Sequence, residues 1–168
     1  MRKALLAIFL LFSFNLYGAG AKIDIPKYDW SWKGFFGTYD RASAQRGLKV
    51  YREVCAGCHS MNYLSYRNLA DLGFSEDHIK AIAAEHLVLD GPNDEGEMFE
   101  RDGIPSDQFV NPYLNEKAAR AANNGAYPPD LSLIVKARPK GADYIKALLL
   151  GYVDPPEYIK VPKGQHYN

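Results

Sequence analysis

Cys55-Ala56-Gly57-Cys58-His59 is the stretch of this chain whose residue types and spacing could carry chemistry. Two thiols three positions apart on a helical turn lie on one face, so both can add to the two vinyl groups of a single porphyrin. The next residue, His59, is then directed at the iron and supplies its proximal imidazole. C-x-x-C-H is the attachment signature of c-type haem, and it uses both cysteines of the chain. Three other chemistries fit parts of the pattern. A thioredoxin-type redox pair calls for a βαβ setting, and no strand pattern surrounds the motif. A structural zinc site needs four ligands, and no second Cys/His pair is spaced to complete one. A simple surface disulfide would leave His59 without a role.

The elements that must position this motif read as short helices held by loops. Residues 22–37, with Pro26, Trp30, Trp32, Gly34 and Gly37, show no helical period and read as an extended lead-in. From Asp40, a capping residue, Ala44, Leu48, Tyr51, Val54, Cys55 and Cys58 recur at spacings of three and four, which predicts one helix face. Gly47 inside that helix implies close packing against another element. Ser75 precedes a second helix carrying Ile79, Ile82, Ala83, His86 and Leu87, ending before Asp90-Gly91-Pro92. Residues 90–114 read as a long loop, a third helix runs from Asn115 to Asn124 and stops at Gly125, a short one from Pro128 to Val135, and a last from Asp143 to Leu150. No long run alternates with period two, so little strand is expected. The fold class is mainly α, with long irregular loops.

The composition narrows the function classes. A chain of 168 residues suits one domain, and 47% hydrophobic and 13% aromatic residues exclude disorder. Two cysteines cannot form a disulfide scaffold. A formal net charge of zero offers nucleic acid no electrostatic footprint. Arg2 and Lys3, the apolar run from Ala4 to Tyr17 and the small residues at 18–21 predict a secretory signal peptide over residues 1–21. Its removal leaves residues 22–168 as the mature domain, with 18 basic and 20 acidic side chains, working outside the cytoplasm. A fold so rich in loops, without disulfides, lacks enough core of its own, so something large and apolar is expected to complete it.

Several blocks beyond the motif are similar to one family. Val50-Tyr51 through Ser60-Met61, Asp90-Gly91-Pro92-Asn93, Gly96-Glu97-Met98-Phe99, the run from Ala118 to Gly125, Pro128-Pro129-Asp130-Leu131-Ser132 and Gly151-Tyr152 resemble cytochrome c1, the haem subunit of ubiquinol–cytochrome c reductase. The likeness runs from about Tyr28 to the last residue. It implies a cytochrome c-like haem domain with one covalently bound haem c, held by Cys55 and Cys58 and ligated by His59. It also implies that Asn123, Ala126, Pro128, Pro129, Ile134, Tyr144, Leu148 and Leu149 line the haem pocket and that Arg138 pairs with a propionate. From the residues alone, Arg138 reads first as a solvated surface charge among Lys136 and Lys140, and Leu148 and Leu149 as plain core. A backbone carbonyl near Pro129 is expected to accept from the second nitrogen of His59 and fix its ring.

The family's sixth ligand is a methionine following a Tyr-Asn-Pro-Tyr-Phe-Pro-Gly stretch, and this chain reaches the entrance to that stretch at His166-Tyr167-Asn168. The expectation is a haem domain lacking the sixth-ligand segment and the carboxyl-terminal membrane helix, with an open or wrongly ligated iron and a lowered potential. Met61 lies on the proximal side, Met98 in the acidic loop, and His78 and His86 on the second helix. By resemblance the function is transfer of one electron from the iron–sulfur (Rieske) subunit to a cytochrome c, beside a cytochrome b subunit, on the periplasmic face of a bacterial inner membrane. Seven acids and one base, Arg101, between Asp90 and Asp107 would receive a basic cytochrome c, or are simply solvated. A haem peroxidase using an open iron position and a thiol oxidoreductase using Cys55 and Cys58 are the alternatives from other classes.

Overall fold

The computed structural model describes residues 24–168; the leader expected over residues 1–21 lies outside them. Helix α1 spans Arg41–Glu53, and the Asp40 carboxylate caps it by accepting from the Ser43 amide at 3.1 Å. The apolar stripe was expected to carry the helix on through Cys58. Instead α1 ends at Glu53, Val54 leaves helical geometry, and the chain tightens into a 3₁₀ turn over Cys55–Gly57. The expected close packing at Gly47 is also absent: a side chain there would meet nothing within 4 Å.

A 3₁₀ segment over Tyr66–Leu72 comes next, opened by a reciprocal cap between Ser65 and Asn68 and closed by Gly73 in the left-handed conformation. Helix α2, Glu76–Ala84, is capped by the Ser75 hydroxyl, which accepts from the His78 amide at 3.3 Å. It stops short of the predicted stripe, because Leu87 and Val88 turn into strand β1 (Leu87–Asp90). This pairs antiparallel with β2 (Phe99–Asp102), Leu87 opposite Asp102 and Asp90 opposite Phe99. The stretch expected to be one long loop thus contains half a hairpin. Asn93 shapes its tip, its side-chain oxygen accepting from the amides of Glu95 and Glu97. Arg101 clasps its base by pairing with Asp90 and, at 2.7 Å, with Asp107.

The core lies where α1, the 3₁₀ segment and α2 meet. Tyr51, Tyr66, Leu69, Ile79, Ile82, Ala83 and Phe109 are buried together. Phe109 stacks on Tyr66 with ring centroids 4.7 Å apart and meets Tyr51 edge-on at 5.9 Å. Residues 103–109 are laced along the 3₁₀ segment through Tyr66 N to Asp107 O at 3.0 Å and Phe109 N to Leu64 O at 3.0 Å. Gly103 has no room for a side chain, since a Cβ there would come within 2.5 Å of the Ala83 carbonyl oxygen.

Beyond residue 110 the character changes. Helix α3 (Glu116–Ala122) is capped by Asn115, and Gly125 at φ +86 ends the turn after it. A short α4 (Ile134–Ala137) and α5 (Ala142–Leu150) complete the helices of the described residues. The helix expected from Pro128 starts only at Ile134. In this part the buried residues among those described are Ala119 and Asp143. Asp143 anchors the lead-in, accepting from the Trp30 indole at 2.6 Å, the Tyr28 amide at 3.3 Å and the Lys33 ammonium at 3.3 Å. The Trp30 hydrogen bond, above all, holds its carboxyl below the usual range. Among the described residues no helix is long and apolar enough to cross a membrane.

Candidate haem-binding site

The 3₁₀ turn sets the two thiols. Cys55 opens this turn and Cys58 closes it as the C-cap residue, and with three residues per turn positions i and i+3 fall on one side of an ideal 3₁₀ helix. The Cys58 and His59 amides both donate to the Cys55 carbonyl, at 3.0 and 2.8 Å, so the three reactive side chains share one hydrogen-bonded turn. Both cysteines are free, Cys58 exposed and Cys55 partly so.

His59 is held from two directions. Its Nδ1 lies 2.8 Å from the Pro129 carbonyl oxygen, which is the acceptor the sequence places near that residue. An Nδ1–H donated there leaves Nε2 with its lone pair free, the tautomer a metal ligand needs. The main chain of His59 is fixed by Tyr51, whose hydroxyl donates to the His59 carbonyl at 3.2 Å. Among the described residues no cluster of three or more His, Cys, Asp and Glu side chains could hold a metal ion, so the zinc alternative has no ligand set there.

Pro129 is itself held by residues 130–132. The Asp130 carboxylate accepts from the Ser60 hydroxyl and the Asn62 amide, both at 2.8 Å, through one oxygen, and from the Ser132 amide at 2.8 Å through the other. Burial works against the charge of Asp130, but these hydrogen bonds outweigh it and keep the carboxyl below the ordinary range. Leu131 N to Ser60 O at 2.9 Å and Tyr63 N to Ser132 Oγ at 3.0 Å extend the seam. The sequence reading missed both Asp130 and Tyr51 as site residues. The signal for Asp130 was present, because Pro-Pro-Asp-x-Ser is the pattern of a turn in which an Asp side chain caps the amide two residues on.

The remaining expected site residues are placed but not gathered into one described cavity. Tyr144 and Leu148 line a cleft of about 390 Å³ with Pro26 and Tyr28 from the lead-in. Leu149 lines a different hollow of about 340 Å³ with Trp30 and Val135. Asn123 donates to the Tyr113 hydroxyl at 3.1 Å and the Ala119 carbonyl at 2.8 Å. Pro128 and Ile134 are partly buried, and Ala126 and Arg138 are exposed. Arg138 makes a long contact, 3.4 Å, with the Ala137 carbonyl and no ion pair among the described residues. A larger hollow of about 680 Å³, between α1 and the 3₁₀ segment, contains Leu48, Met61 and Leu64 and none of the expected pocket residues. Met98 is exposed, and His86 stacks on Tyr66 at 5.9 Å. In the acidic hairpin Arg101 pairs with both Asp90 and Asp107, leaving one negative charge uncompensated in the trio; the exposed acids beyond it include Asp94, Glu95, Glu97 and Glu100.

The Tyr51 phenol is pushed up to about 12, first by burial and then by the neighbouring charges of Asp130, Tyr66 and Cys55. In the unfolded chain it would ionise near 10. Between these two values the unfolded state has released a proton that the folded state retains, so stability falls as pH rises. The expected loss attributable to Tyr51 is at most roughly 2 kcal/mol by pH 12, less where solvent screens the phenol. Urea unfolding at pH 9 and above pH 11 measures it: Tyr51→Phe flattens this dependence, and an unchanged slope would show that Tyr51 is not its source.

A mainly α domain with one C-x-x-C-H turn and an imidazole steadied by a backbone carbonyl has the make-up of a cytochrome c-like domain. The sequence model of the Cytochrome C1 family matches residues 30–168, and the chain belongs to that family. It is 56% identical over 146 residues to "Cytochrome c1 1, heme protein, mitochondrial" of Arabidopsis thaliana, covering 87% of this chain and 48% of the relative. It is 56% identical over 130 residues to "Cytochrome c1" of Rhodospirillum rubrum, covering 77% and 48%. It is 52% identical over 144 residues to "Cytochrome b-c1 complex catalytic subunit, mitochondrial" of Candida albicans, covering 85% and 50%. The chain spans about half the length of these relatives.

Proposed function

We propose that this chain is the haem-bearing part of an electron-transfer subunit of a cytochrome b–c1 complex. The observation that carries the reading is the His59 Nδ1–Pro129 O hydrogen bond beside the turn that holds two free thiols. It leaves one imidazole nitrogen, and two sulfurs on the same turn, to bind a single porphyrin. The donor set fits haem c, and so does the thin core after residue 110, where Tyr127, Leu133, Val135, Leu149 and Leu150 remain exposed with no partner core among the described residues.

In this reading Cys55 and Cys58 form the two thioether links and His59 Nε2 ligates the iron. When bound, haem supplies a centre that takes up and releases one electron. The chain's own residues orient and insulate: Pro129 O fixes the imidazole ring, Tyr51 fixes the backbone of His59, and donation from Nδ1–H makes the ligand nitrogen more basic, which lowers the potential. Asn123, Ala126, Pro128, Ile134, Tyr144, Leu148 and Leu149 would line the porphyrin, and Arg138, exposed and without a carboxylate partner among the described residues, would be free to pair with a propionate. The proposed partners are a cytochrome b subunit, an iron–sulfur (Rieske) subunit as donor and a cytochrome c as acceptor, on the periplasmic face of a bacterial inner membrane after removal of residues 1–21.

The acidic hairpin supports a basic acceptor, since opposite potentials accelerate encounter and salt screens them. Within the assembled complex, stopped-flow reduction by a quinol and reoxidation by a basic cytochrome c is expected to pass through this haem. The bimolecular rate should fall several-fold between low and physiological ionic strength. A haem that stays oxidised under quinol, or a rate indifferent to salt, would contradict the electron-relay role or the docking role respectively.

A further inference from the structure

We propose that Asp130 is a positioning residue for the proximal histidine: its carboxylate staples residues 130–132 to residues 60–62 and thereby holds the Pro129 carbonyl against His59 Nδ1. The inference rests on the reading of His59 as the iron ligand and adds a residue that neither binds nor touches the porphyrin.

The need for such a staple comes from the sequence around it. Pro128 and Pro129 have no backbone N–H, and a proline pair is confined to extended geometry. The segment that presents the crucial carbonyl therefore cannot tie itself down through its own amides. The first backbone amide and the first polar side chain able to do so belong to Asp130. Both carboxylate oxygens are committed, one to Ser60 Oγ and Asn62 N, the other to Ser132 N, all at 2.8 Å. The Leu131 amide donates to Ser60 O at 2.9 Å, and the Tyr63 amide to Ser132 Oγ at 3.0 Å. His59 with Pro129, Ser60 with Asp130 and Leu131, and Tyr63 with Ser132 form a seam in which the two segments run side by side in the same direction. Pro129 O sits at its leading end, one peptide unit from the carboxylate's own residue. A slip of about 1 Å would carry the 2.8 Å contact at Nδ1 out of hydrogen-bond range.

The two functions a carboxylate can have here separate experimentally. As a positioning group it acts through geometry, so moving the charge by one methylene is as harmful as removing it. As a mere source of negative field it acts through charge, and Asp130→Glu would preserve its effect. In the matured, haem-loaded protein, Asp130→Glu and Asp130→Asn are both expected to weaken donation from His59 Nδ1–H. The less basic imidazole then favours the reduced iron. The equilibrium constant for reduction should rise at least threefold, which is about 28 mV for one electron. The His59 ring proton, followed by NMR, should exchange with solvent about tenfold faster or more. Ser60→Ala, which removes one of the three donors and leaves charge and backbone intact, should move both readouts in the same direction by a smaller amount. It decides the matter if the Asp130 variants fail to mature.

Ile79→Val, a core change on the far helix, is the control for general loosening, and it should leave potential and ring-proton exchange where they were. Loss of stability without a shift in either readout would reduce Asp130 to a structural staple and overturn the proposal. A shift in Asp130→Asn that is absent from Asp130→Glu would assign the effect to charge and overturn it equally. A parent protein that carries no covalent haem would instead remove the reading on which the proposal rests, and that failure is visible before any variant is made.

Discussion

Serine at both Cys55 and Cys58 is expected to abolish pigment that survives acid denaturation, in full. A hydroxyl cannot form the thioether, so any porphyrin would be held through His59 and packing alone and would leave with the fold. The consequence reaches beyond colour. The buried members of the core, Tyr51, Tyr66, Leu69, Ile79, Ile82, Ala83 and Phe109, all precede residue 110, with Leu131 the later residue packed against them, whereas Leu149 and Leu150 on α5, and Leu133 and Val135 before it, are exposed. If the porphyrin is what those side chains cover, the double variant should lose order selectively in residues 116–168. Limited proteolysis there should rise about tenfold or more, the equivalent of about 1.4 kcal/mol, while α1 and α2 stay protected. Equal protection across the chain in the variant would show that the carboxyl-terminal part stands without a prosthetic group.

Phe109→Ala should produce the largest loss of folding stability of any single change in the amino-terminal core. Phe109 is 8% exposed, stacks on Tyr66, meets Tyr51 edge-on and pins its own backbone to Leu64. Truncating a buried Phe costs about 3–5 kcal/mol, with roughly 0.5–1.5 kcal/mol of an aromatic pair's energy beyond area burial. Tyr66, 1% exposed, would then border a void on the side it now stacks. The change also reaches the site, because Tyr51 loses the ring that fixes its phenol against the His59 carbonyl. Urea unfolding measures the loss: Phe109→Leu should recover more than half of it, and a loss below about 1 kcal/mol for the alanine variant would mean that Phe109 is not central to this core.

The parts of this fold that were legible in the sequence are those governed by neighbouring residues. Asp40 caps α1 as read, and Ser75 and Asn115, read as standing at the starts of the next helices, cap α2 and α3; these starts were legible because a cap is a side chain bonding an amide three residues away. The C-x-x-C-H turn was legible for the same reason, although its backbone is 3₁₀ and not a continuation of α1: a period of three or four cannot distinguish the two over a single turn. The hairpin was not legible. Its strands have four residues each, and Arg101 and Asp107, which hold β2 in place, look like members of an acidic loop until they are folded together. Gly47 suggested a close approach that the described residues do not make, so its presence in α1 has no account in this structure.

The site divides along the same line. Cys55, Cys58 and His59 are adjacent, so their chemistry could be read directly. Tyr51 bonds the His59 carbonyl across 8 residues of sequence, and Asp130 bonds Ser60 and Asn62 across 70 and 68, through contacts that exist only once the chain has folded. The residues thought to close the pocket, from Asn123 to Leu149, were named by resemblance and not by pattern. Tyr144 and Leu148 line one hollow and Leu149 another, so the described residues do not gather them into a single pocket.

The central claim is that two sulfurs of one turn hold a single porphyrin whose iron takes its proximal ligand from the next residue. It is tested most directly by purifying the matured protein, denaturing it in alkaline pyridine and recording the reduced spectrum together with iron content. The account predicts one iron per chain, colour that resists extraction by acidified acetone, and the band position of a haem with both vinyl groups saturated. Colourless protein with two titratable thiols, or pigment that extracts into the organic phase, would contradict it.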